Sequence, residues 1–371
     1  MAGRKVRAGR DRSASGPEGV RWFHRLAQGV PLRALRAALG AALLLATPAA
    51  AVGQEGSDAR PSLRFPVLCA YGTDCWVQNH VDTQPGPGAS DYRCGHLTYN
   101  GHGGTDIRLR DLVQMRGGVD VVAAAPGVVR AIRDGMPDVG LDGRDRASLT
   151  GREAGNGVAI RHPGGWETQY SHLTRGSVQV REGARVQAGT KLGEVGLSGV
   201  TEFPHVEFIV RRNGAEVDPF TGSAPEQGCS TRGTPLWRAA ARDRLAYIPT
   251  ALLSAGLAPT RPRAKNARES RYRDAKIGPG SAVLTFWARV MGPQTGDRQT
   301  LQLRGPSGRV IAEDTARLPR DQARRFGYVG RRRPDGGWPA GCYVGSYTLI
   351  RDGRTVVDAR RRIGIGTSCE R

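Results

Sequence analysis

Residues 204–211 read Pro204-His205-Val206-Glu207-Phe208-Ile209-Val210-Arg211. In an extended strand, side chains two apart share a face, so His205 and Glu207 project together. The stretch therefore predicts a β-strand that presents an imidazole beside a carboxylate. Upstream, His102-Gly103-Gly104-Thr105-Asp106 offers a second such pair, set among glycines that disfavour a helix, and predicts a loop leading into the strand Ile107-Arg108-Leu109. Tyr170-Ser171-His172-Leu173 adds a third imidazole. Each piece alone is commonplace on solvated surfaces. Jointly, three imidazoles and two carboxylates in a chain with only seven histidines are the inventory of a hydrolytic zinc site.

Around these residues the chain reads as β-structure. From about 96 to 222, short β-branched runs such as Asp120-Val121-Val122, Gly127-Val128-Val129 and Gly157-Val158-Ala159-Ile160 are separated by glycine, which predicts antiparallel strands. The 52 glycines are about twice the usual share of roughly 7%. Asp134 to Asn156, charged and glycine-rich, predicts a surface loop near the site. Residues 230–262 change character: Leu236 to Ala241 and Ala251-Leu252-Leu253 have helix-compatible spacing, and Arg261 to Asp274 reads as a basic linker. From 277 the β pattern returns, and six or seven strands in about 95 residues suit a small β-sandwich. Nothing in that segment has catalytic spacing.

The N-terminus predicts export. Nine basic residues precede the apolar run Ala37 to Ala51, which ends in Thr47-Pro48-Ala49-Ala50-Ala51, a pattern expected of a cleaved leader; the alternative is an anchored N-terminal helix. Elsewhere no stretch is apolar for the ~18 residues that a spanning helix requires. All six cysteines lie beyond the expected cut, an even number that favours disulfides. Their positions suggest Cys69 with Cys75, Cys94 with Cys229 and Cys342 with Cys369. The formal charge is +21; residues 1–53 hold nine basic and two acidic residues, which leaves +14 on the remainder. For an exported protein this favours an anionic envelope polymer over nucleic acid as counterpart, with drift of composition toward arginine the competing account.

The segment 102–219 resembles the lysostaphin/LytM-type zinc endopeptidases. It carries the HxGxD-like His102 to Asp106, the YxHL-like Tyr170 to Leu173, a glycine-spaced stretch from Val180 to Gly199, and His205-Val206-Glu207-Phe208 closed by Val217-Asp218-Pro219. The resemblance implies an all-β fold: an antiparallel LytM-like domain over 96–229, after a leader (1–52) and an irregular disulfide-tied lead-in (53–95). A partly helical connector (230–276) and a β-sandwich (277–371) follow. It implies Zn2+ as cofactor, His102, Asp106 and Glu207 as metal ligands, and His172 and His205 as catalytic residues. His205 falls on the general base and His172 on the group that orients water or supports developing charge. Glu207 departs from the family, which has histidine there; His/Asp/Glu neutralises the dication, where His/Asp/His leaves it at +1, and makes it a poorer Lewis acid. His80, His96 and His162 match nothing in the pattern and are expected to be surface or structural. The implied activity is hydrolysis of peptidoglycan peptides by a monomeric protein of the periplasm or cell exterior, with anionic envelope polymers as further partners. The alternative is a degenerate LytM-like protein that binds wall or regulates other hydrolases.

Overall fold

The structure is a computed structural model, and it describes residues 60–141, 145–225 and 228–369. The expected leader lies outside the described residues. Among the described residues seventeen strands run in chain order. The first ten are β1 (Cys75–Asn79), β2 (Thr105–Leu109), β3 (Asp120–Val122), β4 (Gly127–Arg133), β5 (Asn156–Arg161), β6 (Trp166–Leu173), β7 (Arg185–Val186), β8 (Lys191–Glu194), β9 (His205–Arg212) and β10 (Ala215–Glu216). The last seven are β11 (Ala251–Ala258), β12 (Val283–Met291), β13 (Arg298–Arg304), β14 (Val310–Arg317), β15 (Arg324–Arg332), β16 (Gly341–Arg351) and β17 (Arg354–Ile365).

The principal sheet is antiparallel with the order β1-β2-β9-β6-β5-β4-β7, and β10 pairs with the far end of β9. Its centre, β2-β9-β6, is where the quoted motifs meet. Val206, Phe208 and Val210 of β9, Ile107 and Leu109 of β2, and Tyr170 of β6 all enter one apolar core. The alternate positions Asp106, His205 and Glu207 then stand on the opposite face. Sequence alternation thus sets which side is core and which is chemistry.

Three features differ from the expectations. The lead-in before residue 96 is not wholly irregular: Cys75–Asn79 forms the edge strand β1, buried along its whole length. Asp106 lies on β2 and not in the preceding loop, because its backbone is paired with Glu207 across the sheet. Ala251-Leu252-Leu253, spaced like a helix, begins strand β11, which pairs along its length with β12. Leu253 packs with Trp76 and Met291 and Leu257 enters the second core, so tertiary packing overrides the local spacing. A short helix at Ala239–Arg242 does appear.

Beyond residue 250 two sheets face each other, β11-β12-β15 and β14-β13-β16-β17. Leu284, Phe286, Leu301, Leu303, Tyr343 and Tyr347 fill the space between them, as in a sandwich. The three disulfides join Cys69 to Cys75, Cys94 to Cys229 and Cys342 to Cys369, the pairing read from position. Cys94–Cys229 closes a loop of 135 residues that contains all the motifs.

Asp218, which follows the main sheet, has no exposed surface, and burial pushes its carboxyl up from 3.8 to about 7 despite hydrogen bonds from the Phe220 amide and Thr221 hydroxyl. A carboxyl raised in the folded state contributes most below its unfolded value near 3.8, and that contribution is lost as pH climbs through about 7. Asp218→Asn cannot ionise and should flatten this dependence. Relative to the variant, the native protein should lose on the order of 2–4 kcal/mol between pH 4 and 8, read from urea melts at the two pH values; parallel curves would overturn the assignment.

Candidate metal centre

Strand register assembles the cluster. Asp106 lies directly opposite Glu207 in the β2–β9 ladder, and Glu207 is also opposite Ser171 of β6. His172, the next residue, sits where the β5–β6 pairing shifts between Asn156 and Val158 and two residues face one. Its φ of 64° is in the left-handed region, uncommon for a residue with a side chain. This bulge re-aims the His172 ring toward β9, with ring centroids of His172 and His205 4.6 Å apart. Strain at such a position costs of order 1–3 kcal/mol and persists only where surroundings hold it. Here they do: the His172 amide donates to Ala154 O at 2.8 Å and its Nδ1 to Ser198 O at 2.8 Å. Gly155 and Gly199 let these segments close, since a Cβ at Gly155 would lie 2.4 Å from Ser198 O and one at Gly199 2.2 Å from Glu153 O.

The donor atoms converge. His102 Nε2 is 3.4 Å from Asp106 Oδ1, and His205 Nε2 is 3.5 Å from the same oxygen. Glu207 Oε1 is 3.9 Å from His102 Nδ1, and its Oε2 is 3.8 Å from His172 Nε2. Two ligands of a tetrahedral ion with bonds of about 2.1 Å stand roughly 3.4 Å apart, the spacing found around Asp106 Oδ1. His102, Asp106 and Glu207 each offer one ligand atom within 4.8 Å of the others.

Whether a cation belongs here is tested by the polar atoms themselves. His102 Nε2 and Asp106 Oδ1 are both buried and without a hydrogen-bond partner, a costly arrangement unless something shares them. Asp106 Oδ2, in contrast, accepts from Asn79 Nδ2 at 2.7 Å, which fixes the carboxylate with Oδ1 turned inward. Nitrogen and carboxylate oxygen donors suit Zn2+. The residues fit the ion.

The surroundings bias each charge. Burial alone would lower His102 and raise Asp106, but their proximity reverses both: Asp106 and Glu207 hold His102 above its usual value, and His102 and His205 hold Asp106 well below its own. Burial, with the Asp106 carboxylate nearby, raises Glu207. Burial and then His205 push His172 down to about 3, leaving it neutral. Its Nδ1–H donates to the Ser198 carbonyl, so Nε2 carries the lone pair that faces the cluster. His205 is set the same way by Phe203 O at 2.9 Å, with Thr201 Oγ1 at 3.0 Å from the same nitrogen.

All five residues singled out in the sequence are brought together. Asn79, Thr201, Phe203 and Tyr99, whose ring lies 4.5 Å from that of His102, were not legible as part of the site. None has a motif of its own; the β1–β2 pairing that sets Asn79 against Asp106 is visible only in the fold. His80 is buried among Tyr92, Phe220 and Tyr247, and His162 is buried between Pro126 O and Thr168 Oγ1; both are structural.

The antiparallel β domain thus holds a buried histidine–carboxylate cluster at the centre of its main sheet. Residues 100–219 match the model of Peptidase family M23. The DD-carboxypeptidase/endopeptidase Mpg of Neisseria meningitidis is 34% identical over 110 residues, 29% of this chain and 23% of that protein. The cell division protein DipM of Caulobacter vibrioides is 39% identical over 57 residues, 15% of this chain and 9% of that protein. The match to Mpg thus spans about a quarter of that relative's length. Among solved structures, the catalytic domain of the prophage-encoded M23 protein EnpA from Enterococcus faecalis aligns with 43% of this chain and 95% of its own at 21% identity and a TM-score of 0.29. A zinc-containing peptidase from Vibrio cholerae aligns with 39% of each chain at 23% identity and a TM-score of 0.26.

Proposed function

We propose that this protein is an exported zinc-dependent endopeptidase that hydrolyses peptide bonds of peptidoglycan. The observation that carries the reading is the pair of buried ligand atoms His102 Nε2 and Asp106 Oδ1, 3.4 Å apart and each without a hydrogen-bond partner among the described residues, converging with Glu207 inside a segment that matches the M23 model. Its three disulfides favour an oxidising compartment, and among the described residues no helix is long and apolar enough to cross a membrane.

His102, Asp106 and Glu207 would hold the ion, and Asn79 would keep Asp106 oriented. Bound there, zinc supplies Lewis acidity toward a carbonyl oxygen and water. His205, with Nδ1–H committed to the Phe203 carbonyl, keeps Nε2 as the nitrogen that takes a proton from the attacking water and returns it to the leaving amine. His172 presents a neutral Nε2 that accepts a hydrogen bond. Of its two family roles, this suits orientation of the water; supporting an oxyanion would require a donor. Peptide substrate would approach along the cleft beside His102, lined by Asp82, Arg130, Glu167, Arg211 and Glu216.

One observation favours a second reading, in which the domain binds wall or regulates other hydrolases without cutting: a carboxylate, Glu207, occupies the place of the third histidine. Release of soluble muropeptides from purified peptidoglycan decides between them. The enzyme reading expects zinc-dependent release that chelator abolishes and zinc restores; silence with and without zinc overturns it.

A further inference from the structure

A second cleft, about 710 Å³, lies where the two β domains meet and on the other side of Phe203 from the metal centre. Its lining includes Arg108, Arg268, Arg289, Arg320 and Arg324, and among the described residues no carboxylate lines it. Arg108 is the central observation. It is fully buried, on β2 directly opposite His205. Its guanidinium spends one Nη on Gln78 and Nε on Leu109 O at 3.3 Å, and leaves the other Nη buried with no hydrogen-bond partner. Arg289, also buried, donates to Arg110 O at 3.4 Å and Ser254 Oγ at 3.3 Å, both long contacts.

Arginine does not shed its proton in proteins, so such a group needs an anion nearby. The carboxylates at hand are engaged. Glu202 pairs with Arg324 at 2.7 Å; Asp111 caps the helix Leu112–Arg116 through the Gln114 amide; Asp106 belongs to the metal centre. Several guanidiniums around one concave space, one of them buried with an open donor, form a fork geometry matched to an oxyanion.

We propose that this interdomain cleft is an oxyanion-binding site, in which Arg108, Arg289 and Arg324 hold a carboxylate or phosphate group. The site does not depend on the metal centre for its binding chemistry, but it is coupled to it in space. The Phe203 ring lies 4.7 Å from the Arg108 guanidinium carbon and 4.6 Å from the His205 ring, so an anion here would fix the side of the site on which the proposed base rests. Because its walls come from both β domains, the anion would also tie them together.

The test is calorimetric titration of the full chain with inorganic phosphate, and separately with acetylglycylglycine and its C-terminal amide, at constant ionic strength so that general screening is matched. Saturable binding at one site is expected. Arg320 is exposed and Arg324 half-buried, so Arg320→Glu and Arg324→Gln spare the buried pair and should each weaken binding by roughly tenfold, while Arg331→Gln, exposed on β15 away from the cleft, should not. Phosphate binding more tightly than the peptide acid assigns a phosphate ligand. Peptide acid binding more tightly than both phosphate and the amide assigns a carboxylate. Absence of saturable binding by phosphate and peptide acid alike, or equal binding by native protein and both cleft variants, overturns the proposal. Muropeptide release is measured separately, so failure here leaves the peptidase reading standing.

Discussion

Asp106→Ala should leave the protein unable to take up zinc: elemental analysis after dialysis should find one equivalent per chain in the native protein and none in the variant. Hydrolysis of peptidoglycan falls about 10³-fold or more, since the lost Lewis acid contributes several kcal/mol and each 1.36 kcal/mol is tenfold. The expectation rests on one atom. Asp106 Oδ1 is the oxygen that both His102 Nε2 and His205 Nε2 approach, at 3.4 and 3.5 Å, and Asn79 holds the carboxylate so that this oxygen cannot turn away. The substitution trims a side chain on the face of β2 opposite Ile107 and Leu109, which hold the core, so the packing beneath the site is untouched. Circular dichroism should therefore be unchanged. A folded variant that retains a full zinc equivalent would show that Asp106 is not a ligand.

The parts of this site legible in the sequence are those fixed by local geometry. The two-residue spacing of His205 and Glu207 places them on one face whatever the rest of the chain does, and β9 bears this out. Glycines around His102 exclude a helix there. What stayed hidden depends on long-range pairing. Asn79 reaches Asp106 only because β1 joins the edge of the sheet, and the segment before residue 96 carries no alternation long enough to announce a strand. His172 could be read as facing core or cleft; a bulge with φ of 64° decides it, and no one-dimensional pattern encodes a bulge held from below by Ser198. Ala251 to Leu253 shows the converse, where helix-like spacing gives way to pairing with β12. The arginine cleft is the extreme case, since its walls come from residues more than 200 positions apart.

Glu207 is the residue on which the chemistry turns, and exchanging it for histidine gives the second large effect. With a dication, His102, Asp106 and Glu207 sum to zero charge, whereas His102, Asp106 and a histidine at 207 leave +1 on the ion, which strengthens it as a Lewis acid. Space permits the change. A Cβ at Gly104 would lie 2.9 Å from Glu207 Cγ, and the glycine's lack of one keeps that side of the side chain open. Histidine there also removes the carboxylate that His172 Nε2 faces at 3.8 Å, leaving that lone pair for water alone. Glu207→His should therefore keep one zinc equivalent and raise muropeptide release by about tenfold or more, while Glu207→Ala should lose most of its zinc. If Glu207→His gains hydrolysis where the native protein has none, the carboxylate marks a domain that has given up cutting while keeping its fold. If the exchange lowers release from an active native enzyme, the neutral His/Asp/Glu centre is the working form, and the weaker Lewis acid must be offset by His205 as base.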